Sequence, residues 1–236
     1  MTLSDRREVP RISIIIPTLN EEKGIKDTIQ EIPDYIKACS EIIVVDGLSD
    51  DNTTSEVEKT SAKILIEKKK GKGTAMRSGA DYARGEFLIF IDGDCTYPSD
   101  AIPRFIDLLE DHDLVIGNIV PFLKKMKDKQ VEQLYVYFST KLTNFLFTLF
   151  GIALEDPLNG MRAIRKVDFE RLNLESDGFE IEAEMNIKAF NQNFQIAEVP
   201  IKYLRRKGKS KFIFDLGSQF RIVRMLFSNL LDGLIR

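Results

Sequence analysis

Short runs of β-branched and other apolar residues alternate with longer polar segments along the first half of the chain. A parallel sheet covered by helices on both faces shows this rhythm, because its strands are buried on both sides and each crossover carries a helix. We therefore predict an α/β fold built from βαβ units. The predicted strands are residues 12–16, 42–45, 64–66, 87–91 and 114–116.

After about residue 120 the short strand-like runs give way to longer segments with the apolar spacing of helices. Residues 131–154 and 180–190 are predicted helices, residues 156–166 a polar loop and strand, and residues 196–204 an extended segment. The last segment spaces large apolar residues among arginines, as an amphipathic helix does. We predict an N-terminal tail at 1–10, one main domain at 11–211 and a C-terminal amphipathic helix at 212–236.

Composition excludes several classes of protein. Of 236 residues, 43% are hydrophobic and 30% charged, which argues against disorder. The net charge of −3 provides no global basic field, so no nucleic-acid partner is expected. Cys39 and Cys95 lack the spacing of a disulfide framework or a zinc site, so a reducing, cytoplasmic setting is the default expectation.

Targeting signals are the next question. Residues 1–10 are polar and lack the apolar core of a signal peptide. The longest apolar run, residues 145–154, is shorter than the ~20 residues that a spanning helix needs. We therefore expect a protein that stays inside the cell and does not cross a bilayer.

Two aspartates, Asp92 and Asp94, follow the fourth predicted strand with Gly93 between them. Mg²⁺ prefers oxygen ligands and commonly shares one or two carboxylates with substrate phosphates, so this pair is a candidate metal site for a phosphate-bearing substrate. A solvated turn is the alternative, because Asp-Gly is an ordinary turn dipeptide. Ligands of parallel sheets bind beyond the carboxyl ends of the strands, where residues 17–21 and 46–51 also lie.

Two basic segments are candidates for diphosphate binding. The first segment comprises residues 68–73. Its glycines Gly71 and Gly73, together with Arg77 of the following predicted helix, could approach a diphosphate, whereas Lys68 to Lys70 are typical of a solvated loop. In the second segment, Arg205, Ser210 and Lys211 could clamp a departing diphosphate. A surface patch for anionic lipid is the alternative for that segment.

Taken together, these motifs resemble a family 2 glycosyltransferase, and the second half looks like its dolichyl-phosphate mannose synthase branch. The resemblance covers roughly residues 11–212. The segments that carry it are Pro17-Thr18-Leu19-Asn20-Glu21, residues 45–53, Gly71-Lys72-Gly73, Ile91-Asp92-Gly93-Asp94, residues 156–162, residues 198–201, and Arg205 with residues 208–211.

The resemblance implies an A-type glycosyltransferase fold, a Rossmann-like, mostly parallel sheet flanked by helices. It implies that Asp92 and Asp94 hold Mg²⁺ or Mn²⁺ against the donor diphosphate. The donor-site positions it implies are Pro17, Leu19, Glu21, Asp46 beside the nucleoside, Gly73, Gly93, and the cations Arg205 and Lys211. Two positions depart from the family pattern: Gly47 replaces an acidic residue, and Ile119 replaces an arginine.

The activity implied is a metal-dependent, inverting transfer of a hexose from GDP-mannose or UDP-glucose to a polyprenyl or dolichyl phosphate. A phosphate acceptor is already anionic, whereas a hydroxyl acceptor needs a base, for which Asp156 or Glu184 is the candidate. Both acids could instead orient Arg162 or cap a loop. A soluble or lipid hydroxyl acceptor, and a nucleotide-sugar-binding protein without turnover, are the alternatives.

A lipid acceptor would explain the aromatic and aliphatic residues of segments 135–154 and 212–234, which could lie in a membrane interface. Packing in the core or in a dimer interface is the alternative, so a homo-oligomer is a second possible arrangement. Relatives often carry spanning helices after this point. Because the chain ends without them, we expect peripheral attachment at the cytoplasmic face of the membrane.

Overall fold

Seven strands form one sheet in the computed structural model, which describes residues 10–126, 131–208 and 216–235. The strands are β1 (Ile12–Thr18), β2 (Ser40–Asp46), β3 (Lys63–Ile66), β4 (Phe87–Phe90), β5 (Leu114–Asn118), β6 (Arg162–Arg165) and β7 (Ile196–Pro200). Their order across the sheet is β3-β2-β1-β4-β6-β5-β7, and β6 alone among them runs antiparallel to its neighbours. The predicted mostly parallel α/β sheet is confirmed.

Helices cover both faces of this sheet. In chain order they are α1 (Ile25–Gln30), α2 (Asp34–Cys39), α3 (Thr53–Glu58), α4 (Lys72–Tyr82), α5 (Ile102–Leu108), α6 (Val120–Lys125), α7 (Val131–Leu149), α8 (Lys166–Leu172), α9 (Ile181–Asn191) and α10 (Leu216–Ile235). The predicted helix at 131–154 ends five residues early, because Gly151 takes a positive φ of 81° just beyond α7.

The core lies on both sides of the sheet because successive strand residues point to opposite faces. In β1, Ile14 and Ile16 pack against the α1 and α5 side, and Ile15 packs against the α4 and α9 side. All three side chains are fully buried. This two-sided burial is the physical origin of the continuous apolar runs in the sequence.

The reversed strand β6 brings a loop to the functional edge of the sheet. Arg162, its first residue, pairs with Phe90 at the end of β4 and with Ile116 in β5. The loop of residues 155–161 therefore enters at the edge where the parallel strands end. This loop supplies one wall of the site described below.

The two long helices each have one packed and one exposed face. In α10, Ile222 and Leu226 are buried in the core, while Phe220 and Phe227 are exposed. Arg221 also contacts Glu180, which precedes α9, at 2.8 Å. Within the described part of the chain, no helix is long and apolar enough to cross a membrane.

Candidate active site

The loops that follow β1 and β2 are joined by hydrogen bonds between them. Asn20 donates its backbone N–H to Ser49 Oγ at 2.8 Å and accepts from the Asp50 N–H at 2.9 Å. Asn20 and Leu48 adopt positive φ values of 54° and 65°. Such angles are costly for Leu, so surrounding contacts must hold this pair of loops in place.

Asp46 holds the second of these loops. Its carboxylate accepts from the backbone N–H of Ser49 at 2.9 Å and from the Ser49 hydroxyl at 2.5 Å, and it is 2% exposed. Asp46 does not line the cavity at the sheet edge, whereas the adjacent Gly47 does. Asp46 thus lies outside the cavity lining and fixes the loop that carries Gly47.

Asp92 faces the ammonium group of Lys72, the first residue of α4. The Lys72 Nζ lies 2.7 Å from Asp92 Oδ1 and 2.7 Å from Glu182 Oε1 on α9. Burial alone would lower the pKa of Lys72, but the two carboxylates outweigh it and hold that pKa above its ordinary value. Lys72 therefore remains a buried cation at physiological pH.

Asp94 is more enclosed than Asp92, with 1% of its surface exposed. Its Oδ1 accepts from the Thr96 N–H at 2.9 Å, and its Oδ2 lies 2.8 Å from Arg206 Nη2. Burial, reinforced by the charge of Asp92, raises the pKa of Asp94 although Arg206 opposes the shift. Each aspartate of the pair thus has its own cationic partner.

Two glycines set the position of the Asp92–Asp94 turn. A Cβ on Gly24, just before α1, would lie 2.7 Å from the Gly93 carbonyl oxygen, and one on Gly160 would lie 2.6 Å from Asp92 Oδ2. The Gly24 contact is with backbone and excludes any larger residue, whereas a Cβ on Gly160 would push the Asp92 carboxylate aside. The turn is therefore held between α1 and the loop that precedes β6.

Arg162 fixes the loop of residues 155–161 by hydrogen bonds from its buried guanidinium. It is fully buried and donates to the carbonyl oxygens of Asn159 at 2.8 Å and Pro157 at 2.6 Å, and to Asn186 Oδ1 at 2.7 Å. Gly160 in turn donates its N–H to the Tyr97 hydroxyl at 3.2 Å. The backbone opposite Asp92 is thereby fixed.

Asp156 lines the cavity but also caps this loop. Its Oδ2 accepts from the Ile119 N–H at 3.1 Å and from Asn159 Nδ2 at 2.7 Å. Burial raises the pKa of Asp156 to about 6, against the effect of both hydrogen bonds, and the charge of Glu198 adds to the shift. Glu184 likewise caps a loop, since it accepts from the N–H groups of Glu175 and Ser176.

The glycine-rich segment before α4 packs against a loop at residues 175–178. Gly73 donates its N–H to the Gly178 carbonyl at 3.2 Å, and a Cβ there would lie 2.1 Å from the Ser176 carbonyl oxygen. Arg77 pairs with Asp177 at 2.7 Å. Gly73 and Arg77 therefore contact this loop and do not line the cavity, where the sequence had placed them beside a diphosphate.

These elements enclose a cavity of about 460 Å³ at the carboxyl edge of the sheet. Helix α7 closes one side of it with Tyr135, Val136, Ser139, Thr140 and Thr143. Among the described residues, five carboxyl groups and two cationic side chains line the cavity. These are Glu21, Asp92, Asp94, Asp156 and Glu182, with Lys72 and Arg206.

Several residues singled out by the sequence meet in this cavity, namely Pro17, Leu19, Glu21, Asp92, Gly93, Asp94 and Asp156. Arg205 is exposed and does not line it; the next residue, Arg206, takes that place 2.8 Å from Asp94. Lys211 lies outside the described residues. Lys72 was visible in the Gly-Lys-Gly motif, but no local signal identified Glu182 or Tyr97.

The acidic pair fits a divalent cation. Asp92 keeps a partly exposed carboxylate whose Oδ2 lies against the bare backbone of Gly160, and carboxyl groups outnumber cations in the cavity lining. The described residues contain no cluster of three or more potential ligands among His, Cys, Asp and Glu. Such a site would therefore complete its coordination with water, and with phosphate oxygens once a substrate is bound, as Mg²⁺ sites often do.

Comparisons with known proteins place this geometry in context. The family model described as glycosyl transferase family 2 matches residues 13–172. The chain is 28% identical over 233 residues to the low-salt glycan biosynthesis hexosyltransferase Agl6 of Haloferax volcanii, covering 96% of this chain and 55% of Agl6. The glycosyltransferase AglJ of the same organism is 29% identical, with coverage of 86% and 66%. The chain thus spans less than two thirds of these two relatives.

Other relatives carry more specific names. A dolichyl-phosphate hexose transferase of Haloferax volcanii is 29% identical over 202 residues, covering 85% of this chain and 86% of the relative. Among solved structures, glucosyl-3-phosphoglycerate synthase from Mycobacterium tuberculosis with Mn²⁺, UDP-glucose and phosphoglyceric acid superposes with a TM-score of 0.73. It is 22% identical, covering 94% of this chain and 80% of that chain, which supports the A-type glycosyltransferase fold.

Proposed function

The chain belongs to glycosyl transferase family 2, and from that premise we propose that it transfers a hexose from a nucleoside diphosphate sugar to a polyprenyl phosphate. The observation that carries the acceptor assignment is the two-faced character of α7. One face of this helix lines the cavity, and the opposite face is apolar and exposed.

The outer face of α7 forms a continuous apolar stripe. Its members recur three or four residues apart, as neighbours on one helix face do, and are 44% to 61% exposed: Leu134, Phe138, Leu142, Phe145 and Leu149. A stripe of this kind is typical of helices that lie in a membrane interface. A lipid-linked acceptor could then reach the cavity along the same helix.

The donor would bind at the acidic turn. A diphosphate is anionic and is repelled by a cavity with excess carboxyl groups, so a cation bound there would favour its entry. Asp92 and Asp94 would hold Mg²⁺ or Mn²⁺, which when bound neutralises the negative charge that grows on the leaving nucleoside diphosphate. Arg206 and Lys72 supply the protein's own positive charge at this place.

The acceptor phosphate would attack without help from a base. A phosphomonoester has a second pKa near 6, so its oxygen is already anionic at neutral pH. That oxygen forms the new bond to C1 as the bond from C1 to the diphosphate breaks, and the diphosphate keeps the electron pair. In-line attack inverts the anomeric centre. Asp156, whose Oδ2 is held by Ile119 and Asn159, would serve to position its loop.

The names of several relatives support this assignment. One is a dolichyl-phosphate hexose transferase, and others are dolichol-phosphate mannosyltransferases from Pyrococcus furiosus and Saccharomyces cerevisiae, 28% and 25% identical. We further propose peripheral attachment to the cytoplasmic face of a membrane. The free thiols of Cys39 and Cys95 are consistent with a reducing compartment.

Product formation tests the reaction. GDP-mannose and UDP-glucose should each be offered with a short polyprenyl phosphate, with Mg²⁺ or Mn²⁺ present and then chelated. We expect a sugar-linked lipid phosphate from one donor, lost on chelation and in the Asp92→Asn/Asp94→Asn double variant. Transfer to a small hydroxyl acceptor, with none to the lipid phosphate, would contradict the proposed acceptor.

Flotation with anionic liposomes tests the membrane assignment. The double variant Phe138→Ser/Phe145→Ser removes two exposed aromatic side chains that would be buried in the membrane. Each contributes about 1.5–3 kcal/mol to membrane binding, so the fraction of protein bound to liposomes should fall sharply. Tyr35→Ser/Val167→Ser is the matched control, since those side chains are 65% and 67% exposed elsewhere on the surface. Equal flotation of the two double variants would refute the role of α7.

A further inference from the structure

Lys72 occupies an unusual position for a side chain beside a candidate metal site. Its ammonium lies 2.7 Å from Asp92 Oδ1 and 2.7 Å from Glu182 Oε1, with 12% of the side chain exposed. The Phe179 ring centroid lies 5.9 Å from the same nitrogen. The first candidate metal ligand therefore already holds a cation that the protein itself supplies.

The backbone that carries Lys72 is fixed on both sides. Gly71 has a φ of 133°, and a Cβ there would lie 2.0 Å from the Asp177 carbonyl oxygen. Gly73 is held equally close to Ser176 and donates its N–H to Gly178. Because the main chain cannot retreat, movement of Lys72 is limited to rotations of its long side chain.

The Asp92 carboxylate cannot move toward Gly160, because it already lies against the backbone of that residue. A divalent cation at Asp92 would meet the Lys72 ammonium at close range, where like charges repel by several kcal/mol in a partly buried site. Glu182, the other carboxylate in contact with the ammonium, is 3% exposed.

We propose that Lys72 is a resident counter-ion of Asp92, and that a divalent cation displaces its ammonium from Asp92 while Glu182 retains it. Lys72 and Glu182 are thus positioning residues that set how strongly the acidic turn binds metal before the donor arrives. The displaced ammonium stays in the cavity, where it can meet the diphosphate. This inference rests on the metal site of the proposed function and is independent of the acceptor.

Mn²⁺ binding without donor or acceptor provides the test, measured from the free Mn²⁺ signal in electron paramagnetic resonance. Lys72→Met removes the competing charge, so we expect Mn²⁺ to bind at least about tenfold more tightly. Lys69→Met is the matched control. Lys69 lies in the same segment and pairs with Asp177 at 2.9 Å, so its loss should leave Mn²⁺ affinity nearly unchanged.

Glu182→Asp provides a second variant that keeps the charge of the cavity but withdraws the carboxylate from Lys72. The ammonium should then stay on Asp92, and Mn²⁺ affinity should fall several-fold. A general effect of charge predicts no change for this variant. Glu182→Asp therefore decides the matter even where Lys72→Met fails to fold, as judged by circular dichroism.

Transfer rates give an independent readout. Lys72→Met should bind Mn²⁺ more tightly and yet transfer sugar more slowly, whereas a residue that merely supports the fold would weaken both. Unchanged or weaker Mn²⁺ binding by Lys72→Met, or unchanged binding by Glu182→Asp, overturns the proposal. A wild-type protein that binds no Mn²⁺ overturns the metal site together with it, whereas failure of the lipid acceptor affects the proposed function alone.

Discussion

The arginine beneath the acidic turn provides a sharp test of how the site is supported. Arg162→Met keeps an apolar stem of similar length but removes the guanidinium that bonds to Pro157, Asn159 and Asn186. Two of these bonds hold the loop that carries Asp156, and the bond to Asn186 joins it to α9. We expect the variant to lose stability and transfer activity together.

The expected loss follows from the bonding pattern of Arg162. Hydrogen bonds to charged groups contribute ~1.5–3 kcal/mol each, and burying the guanidinium, which lowers the pKa of Arg162, offsets part of that gain. In the variant, the Pro157 carbonyl keeps its hydrogen bond from Asn186 at 2.5 Å, whereas the Asn159 carbonyl loses the bond that Arg162 donates. A net loss of about 3–4 kcal/mol follows, which lowers Tm by about 6–16 °C in a chain of this size.

Thermal unfolding followed by circular dichroism measures this loss, with Arg165→Met as the control. Arg165 lies on the same strand and also donates to backbone carbonyls, those of Leu109 and His112, but it is partly exposed. Its replacement should cost only about 1 kcal/mol. If Arg162→Met lowers Tm no more than Arg165→Met does, the buried guanidinium does not support the loop as we argue.

Two further predictions concern the cavity itself. Gly160→Ala should leave the free energy of unfolding within about 1 kcal/mol of wild type but weaken Mn²⁺ binding by at least about tenfold, because its Cβ displaces the flexible end of Asp92. Gly47→Ala is the control, since its Cβ meets nothing closer than 3.5 Å; equal Mn²⁺ affinity in both variants would contradict the reasoning. Burial raises the pKa of Asp156 from 3.8 to about 6, so the folded state holds this proton more tightly than the unfolded chain, and stability falls as pH rises from about 4 to 6. Urea unfolding should therefore show Asp156→Asn gaining up to about 3 kcal/mol relative to wild type between pH 4 and 7, and a difference that stays constant with pH would refute the assignment.

Much of the fold could be predicted because burial on both faces of a sheet leaves a direct mark on the chain. Residues 12–16 are apolar except for Ser13, residues 87–91 are apolar throughout, and both regions form strands with fully buried centres. The reversed direction of β6 could not be predicted in this way. A strand of four residues, Arg162–Arg165, has the same local pattern whether it runs parallel or antiparallel.

In the candidate site, too, some features depend on local sequence and others depend on tertiary packing. Asp92 and Asp94 come within four residues of the end of β4, so their place at the sheet edge depends on local sequence. Whether Arg205 or Arg206 turns toward Asp94 depends on how the segment after β7 packs, and the structure selects Arg206. Local spacing contains no information on that choice.

By itself, the sequence determined the parallel strands, the acidic turn that ends one of them, and the resemblance that names the family. Tertiary structure alone decided that Lys72 would lie between Asp92 and Glu182, and that α7 would present one face to the cavity and the other to its surroundings. The physical reason is the separation along the sequence over which each interaction acts. Strand burial and turns are imposed by neighbouring residues, whereas a charge pair between α4 and α9 exists only after the sheet and its helices have packed.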